Sequence, residues 1–424
     1  MALSVSGFFI SMVLFVFLSM RKWNVALVSI FASLVLMCFN CINPIIGFSG
    51  AFSDGLSGFV GKWWLMFILG SVFGKVMKDT GLSVSIATIL IARVQCNPIL
   101  AVLIISLIMS YGGISTFVIA FTIYPIAFEL FQRANIETSI MPAAMLFCPT
   151  TLAMTMLPGS PSVQNIIPTA YLGTNIYAAP LLGISAATIT FSLGYTYLKR
   201  IANINNNMPK CISSVPHFNI RDFFCFLPCI ILWLVTLLLI QLNIDSQNAV
   251  ELSLVCGIIC AIVISGSKSN IMESLNYAVQ SGLKTLIITS LIMGYGNLVK
   301  SMDSFMWITD KLYSLVDNEI VSSIIAVNII AALTGSSLTS LQILFDTFLD
   351  RIRISELPAE NIHRIITIAS GGLDSMPYAT GVVVANELAY TEQSKTYKHI
   401  FMTCALIPLL VLVLTVAMSY LLWI

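Results

Sequence analysis

The chain has 424 residues, of which 58% are hydrophobic and only 9% charged, and its 20 basic and 19 acidic residues leave a net charge of +1. With a mean hydropathy of +0.95, it carries more apolar surface than a soluble globule tolerates and reads as a polytopic, all-α membrane protein. The charge balance leaves no electrostatic footprint for nucleic acid, and the ten cysteines lie mostly inside apolar runs and read as small buried hydrophobes, so no metal, redox or cofactor site is expected.

The first apolar stretch, Leu3 to Met20, ends in Arg21-Lys22 without a small-residue cleavage site, and is expected to be a retained span rather than a signal peptide. Further runs long enough to cross a hydrocarbon core of about 30 Å lie near 23–42, 60–78, 139–170 and 176–198. A second set follows near 222–243, 247–266, 283–300, 360–390 and 397–423. Each half also holds a long apolar stretch broken in its middle. Residues 98–132 are interrupted by Gly112-Gly113-Ile114-Ser115-Thr116, and residues 319–349 by Thr334-Gly335-Ser336-Ser337. Irregular backbone at membrane depth is tolerated only where protein or water satisfies its amides, so both are expected to be re-entrant hairpins with tips facing a cavity. The polar segment 199–221, with Asn203, Asn205, Asn206 and Asn207, is the expected linker between halves 1–198 and 222–424.

The halves also match in sequence. Ser57-Gly58, Gly70 and Asp79 recur 224 positions later as Ser281-Gly282, Gly294 and Asp303, the same displacement that separates the runs starting at 23 and 247. About five crossings per half is an odd number, which reverses the second half relative to the first and predicts inverted repeats. Arg21-Lys22, Lys75, Lys78, Arg93, Arg133, Lys199-Arg200, Lys210 and Arg221 then share one side, which the positive-inside bias makes cytoplasmic, with both termini outside. Arg351 and Arg353 fall on the outer face, against the bias.

Two later segments interrupt what hydropathy alone would make plain helices. Leu157-Pro158-Gly159-Ser160-Pro161-Ser162-Val163-Gln164-Asn165 puts two prolines, a glycine and several polar side chains inside a span, and each proline removes a donor and clashes with the preceding turn. Unwinding there aims free amides and a half-helix N-terminus at a cavity, a favourable place for a carboxylate. The counterpart is Ser370-Gly371-Gly372-Leu373-Asp374-Ser375-Met376-Pro377-Tyr378. A single segment of this kind reads best as a kink; the same signals in the same order in both halves favour a site. Asp374 has two readings of equal weight, a proton-coupling acid or a helix cap beside Pro377. Asp79 and Asp303 read as caps or partners of nearby bases such as Lys78 and Lys300, Glu129, Asp346 and Asp350 as interfacial, and His217, His363 and His399 as too shallow for a proton relay.

At these same residues the chain resembles the gluconate permease family within the ion transporter superfamily, most of all the branch associated with 3-hydroxybutyrate and similar short hydroxy acids. The likeness rests on Tyr111-Gly112-Gly113-Ile114-Ser115-Thr116-Phe117-Val118 through Tyr124-Pro125, on Leu157 through Thr169 with Leu172-Gly173-Thr174 and Ala178-Ala179-Pro180, and on Ser370 through Pro377. The resemblance implies uptake of a small organic anion, usually with a proton, across a bacterial cytoplasmic membrane. It also implies an elevator-type carrier, whose hairpins and broken helices move against a scaffold that often forms a homodimer. One departure stands out: relatives commonly continue the last motif as Pro-His-Asn-Gly, whereas here it runs Pro377-Tyr378-Ala379-Thr380.

The expected function is import of a short, hydroxylated monocarboxylate driven by protons. Ser115, Thr116, Ser160, Gln164, Asn165, Ser336, Ser337, Ser375 and Tyr378 would supply hydrogen bonds, and amides beside Gly113, Gly159, Gly335 and Gly372 would hold the carboxylate. Gly112, Pro158 and Gly371 complete the set. Because neither motif contains a cation, the charge is expected to be met by backbone dipoles, which favours one carboxylate over two or three. Sodium coupling or antiport, an intramembrane enzyme and a passive channel are the alternatives. The lack of a HExxH, a paired-acid metal motif or a nucleophile with an obvious base weighs against the enzyme.

Overall fold

The computed structural model describes residues 2–21, 23–92, 97–111, 116–160, 162–202, 224–242, 244, 246–265, 271–313 and 316–422, and every regular element among them is helical. The earlier part contains α1 (Ala2–Met20), α2 (Val25–Phe39), α3 (Pro44–Gly47), α4 (Ser53–Asp79), α5 (Leu82–Ala92), α6 (Pro98–Tyr111), α7 (Thr116–Arg133), α8 (Met141–Leu146), α9 (Val163–Leu172) and α10 (Pro180–Ile201). The later part contains α11 (Leu227–Gln241), α12 (Ser246–Ser265), α13 (Ile271–Lys300), α14 (Asp303–Tyr313), α15 (Glu319–Thr334), α16 (Ser337–Ile352), α17 (Ala359–Ser370), α18 (Thr380–Leu388), α19 (Gln393–Ile400) and α20 (Ile407–Leu422). Wider, π-helical turns join α3 to α4, extend α8 to Met156 and join α19 to α20. Most of the expected linker lies outside the described residues.

Six helical stretches among the described residues are long and apolar enough to cross a membrane: Pro44–Asp79, Thr138–Met156, Pro180–Ile201, Gln247–Ile264, Met272–Lys300 and Gln393–Leu421. Their outer faces are apolar. Leu181 on α10 and Val413 on α20 are 73% and 68% exposed, an arrangement that water penalises and lipid does not. The expected run 139–170 is split, with helix to Met156 and a restart at Val163. Local chemistry sets many helix ends. Asn24, Asn43 and Asn318 cap α2, α3 and α15 by accepting backbone amide hydrogens, with Pro44 opening α3 where its missing N–H costs nothing.

Helices α4 and α13 form the central pair, in extensive contact and antiparallel. Gly282, early in α13, lies against Phe67, whereas Gly294, later in α13, lies against Phe52. The recurring glycines make this approach possible: a Cβ on Gly282 would stand 2.8 Å from the Phe67 carbonyl oxygen, and one on Gly294 2.9 Å from that of Phe52. Small residues at such a crossing let backbones approach closely, and close packing is what holds membrane helices together. Phe67 stacks edge-on against Phe121 with ring centroids 5.7 Å apart, tying α4 to α7.

The two stretches expected to form hairpins are each a packed helix pair, α6 with α7 and α15 with α16. The second runs from Glu319 to Ile352, slightly beyond the expected 349. Its tip is two residues: Gly335 ends α15 in the left-handed region at φ +62°, and Ser336 caps α16 by accepting from the Thr339 amide at 3.2 Å. The first hairpin's tip, residues 112–115, lies outside the described residues. Helix α17 packs against α9, α15, α16 and α20, and every side chain from Ile362 to Ser370 is buried.

Candidate functional site

The backbone leaves helical geometry at Leu157 (ψ 125°), turns through Gly159 at φ +79°, and resumes as α9 at Val163. Its freed polar groups find partners. The Tyr111 hydroxyl donates to the Pro158 carbonyl at 3.0 Å, the Gly159 amide to Ile176 O at 2.9 Å, and the Ser162 hydroxyl to Met154 O at 2.7 Å. Fully buried Asn165 donates from Nδ2 to Ser160 O and Ile176 O, both at 2.9 Å. The unwound stretch is thus a built turn rather than a frayed end, as buried backbone in lipid requires.

The second break runs from Gly371 to Ala379, between α17 and α18. Its groups meet the first break and the second hairpin. The Gln164 side chain donates to Ser337 Oγ at 3.2 Å, the Ser337 hydroxyl faces the Asp374 carboxyl group, and the Ser375 hydroxyl bonds Asp374 Oδ1 at 3.0 Å. The Tyr378 hydroxyl donates to Ala332 O near the hairpin tip, and its ring lies against Gly335, where a Cβ would come within 3.3 Å. On the far side, Gly371 abuts Thr155, two residues before the first break.

Of the expected residues, Gln164, Ser337, Asp374 and Ser375 therefore form one connected chain, with Gly335 and Tyr378 beside it. Pro158, Gly159, Ser160 and Asn165 form the adjoining turn; Gly371 borders it through Thr155, whereas Gly372 faces Asn328 and Leu409. Ser336 spends its hydroxyl on the cap. Thr116 opens α7, half-buried, while Gly112, Gly113 and Ser115 lie outside the described residues, as does Pro161. The capping position of α18 is Ala379, with no side-chain cap, so Asp374 does not cap that helix.

Two residues on α17 alter the chemistry expected of this region. His363 is fully buried, and joins Asn165 Oδ1 through Nε2 at 3.2 Å and Thr174 Oγ1 through Nδ1 at 2.7 Å. A neutral ring with its proton on Nε2 satisfies both contacts, donating to the amide oxygen and accepting from the hydroxyl. Arg364 is also fully buried. Its Nε and Nη2 donate to Ala178 O at 3.2 and 3.0 Å, Nη2 also reaches Ile176 O at 3.4 Å, and Nη1 has no protein partner. The guanidinium adjoins the first break, because a Cβ at Gly183 would lie 3.2 Å from both Arg364 Nε and Pro158 Cδ. The region is therefore not without a cation. The signal for it was an Arg inside an apolar run, costly in a bilayer unless it is used. Ser160 Oγ and Asn328 Oδ1 are likewise buried without protein partners, the latter beside Gly372.

Its long apolar helices make this a multi-pass membrane protein, and its family makes it a permease, a transporter and not an enzyme. The chain belongs to the GntP permease family, whose model matches residues 3–344, ending within α16. It is also similar to YxjC of Bacillus subtilis (strain 168), an uncharacterized transporter, at 28% identity over 403 residues covering 84% of this chain and 85% of that one.

Proposed function

We propose that this transporter imports a small organic monocarboxylate of the gluconate or 3-hydroxybutyrate kind into a bacterial cell, coupled to protons, through a site between the two breaks and the second hairpin's tip. The observation that carries this reading is the chain Gln164–Ser337–Asp374–Ser375, which links the first break, the hairpin and the second break. Hydroxyls and a carboxamide suit a hydroxylated ligand. One buried guanidinium, Arg364, matches one carboxylate and supplements the backbone amides expected to hold it. Asp374, an acid among hydroxyls in a buried setting, is the coupling candidate, since carrying a proton removes the cost of its charge there.

The antiparallel α4–α13 pair and the recurrent order of long helices, hairpin and broken helix support two inverted repeats, 1–198 and 222–424, about a shared axis. An elevator-type movement of hairpins and broken helices against α4 and α13, in a homodimer within the cytoplasmic membrane, completes the proposal. Purified protein in proteoliposomes should accumulate labelled 3-hydroxybutyrate or gluconate, but not citrate, when the pH gradient is inward; preference for citrate would overturn the one-carboxylate argument. Asn328 Oδ1, a buried acceptor near the Ala369 carbonyl, favours a second reading in which Na⁺ is the coupling ion. Uptake that follows a sodium gradient and ignores pH would decide for it.

A further inference from the structure

A partly open cavity of about 220 Å³ lies away from the two breaks, where α4, α7, α13 and the end of α18 with the following Tyr390 converge. Two lysines of α4, Lys75 and Lys78, line it with tyrosines from three other segments, Tyr124, Tyr277 and Tyr390. The lysines differ. Lys75 is neutralised by Asp79 at 2.9 Å, and Asp79 in turn accepts from the Ser274 hydroxyl at 2.5 Å. This corrects the expectation that Lys78 would be the partner of Asp79. Lys78 instead rests 5.1 Å over the Phe128 ring, with no carboxylate within ion-pair distance among the described residues. The nearest acid on α18, Glu387, is matched by Lys284 at 3.3 Å. One positive charge is therefore left over at the cavity.

Further polar groups around the cavity point the same way. Ser71, only 7% exposed, lines the cavity and its hydroxyl has no protein partner. The Tyr277 and Tyr390 hydroxyls lie 3.3 Å apart. Tyr390 is brought there by a backbone φ of +50°, a left-handed conformation that a bulky residue adopts only at a cost. Ser281, half of the Ser-Gly pair repeated in the sequence, bonds Tyr390 at the same wall. A buried hydroxyl without a partner, a strained tyrosine and an unmatched ammonium around one cavity are the parts of an anion site.

We propose that this cavity binds a compact, singly charged oxyanion, a carboxylate or a phosphate group, held by Lys78, Ser71 and the Tyr277–Tyr390 hydroxyls. Its volume accommodates a headgroup or short acid and is below the roughly 300 Å³ at which drug-sized sites begin. Because α4 and α13 form one wall and α7 and α18 the other, an occupant ties the central helix pair to the first hairpin and the second broken helix. The binding claim rests on this geometry alone; only its effect on transport depends on the function proposed above.

Two sources share this chemistry, a soluble anion and an anionic lipid, and one experiment separates them. Full-length protein in neutral detergent is titrated with acetate and with inorganic phosphate, reading the thermal midpoint, and separately with phosphatidylglycerol against phosphatidylcholine, reading bound lipid by native mass spectrometry. Saturation in the first arm identifies a soluble anion, and selective phosphatidylglycerol adducts in the second a headgroup. In whichever arm responds, Lys78→Gln, at an exposed position, should weaken binding about tenfold, Lys78→Arg should restore it, and Ser71→Ala should weaken it about threefold. Ser337→Ala, placed in the other site, should leave it unchanged while impairing carboxylate uptake. No response in either arm, equal binding by Lys78→Gln, or loss in Ser337→Ala would overturn the proposal, whereas failed uptake with this binding intact would count only against the transport reading.

Discussion

Arg364 carries two demands at once. Three hydrogen bonds to Ala178 O and Ile176 O hold the loop ahead of α10, while Nη1 stays unpaired beside the first break. Arg364→Gln should strand the Ala178 carbonyl at about 1–3 kcal/mol, lowering the thermal midpoint in detergent by a few degrees, while Ile176 O keeps its bonds from Gly159 and Asn165. Arg364→Lys should recover little of it, because an ammonium cannot present the planar pair of Nε and Nη2 donors that Ala178 O receives. Asp374 invites a cleaner substitution. Asp374→Asn preserves shape and keeps an oxygen for the Ser375 hydroxyl, so folding should persist and substrate exchange across a membrane without a gradient should continue. Accumulation driven by the pH gradient should fall at least tenfold; unchanged accumulation in proteoliposomes would remove Asp374 from the coupling role. His363, expected to lie too shallow for a proton relay, is buried against α9 because burial belongs to a packed helix, and nothing local to the residue records that cover.

Among the elements, the second hairpin was legible in chain order because its tip uses residues with few alternatives. Gly335 sits at φ +62°, where a side chain costs about 1–2 kcal/mol. Gly335→Ala also presses a methyl group toward Tyr378, at 3.3 Å from its ring. The tip should shift, seen as at least a several-fold rise in KM for uptake with a stability loss near 1–2 kcal/mol. The α4–α13 crossing is less forgiving. Gly282→Val places its new atoms against the Phe67 carbonyl, 2.8 Å from the Cβ alone, and backbone cannot yield as a side chain does. Loss of monodisperse protein on size exclusion is the expected outcome, while Gly58→Val, at a position open within 4 Å, should behave as wild type. The repeat matched Gly58 with Gly282, yet only the second is packed, so sequence similarity between halves did not report equal roles.

For the whole molecule, the proposed orientation rests on the distribution of basic residues together with the odd number of crossings expected of each half. Reporter fusions should place the segment 199–221 in the cytoplasm, with both termini on the opposite face. Cytoplasmic signal from both the segment and the C-terminus would cancel the inversion of the second half. Assembly around the breaks was beyond the reach of hydropathy. Gln164 meets Ser337 across 173 positions and Asn165 meets His363 across 198, separations at which only packing determines who touches whom.

Membrane class and the sites of both breaks were written into the chain, because hydrophobicity, proline's missing donor and glycine's freedom act within a few residues of where they occur. Helices α4 and α13, by contrast, run well beyond the expected 60–78 and 283–300. Burial of Arg364 and His363, the pairing of Lys75 rather than Lys78 with Asp79, and the meeting of Gln164, Ser337 and Asp374 came from the folded arrangement alone. Each depends on which faces of distant helices are pressed together, a quantity that no stretch of sequence contains.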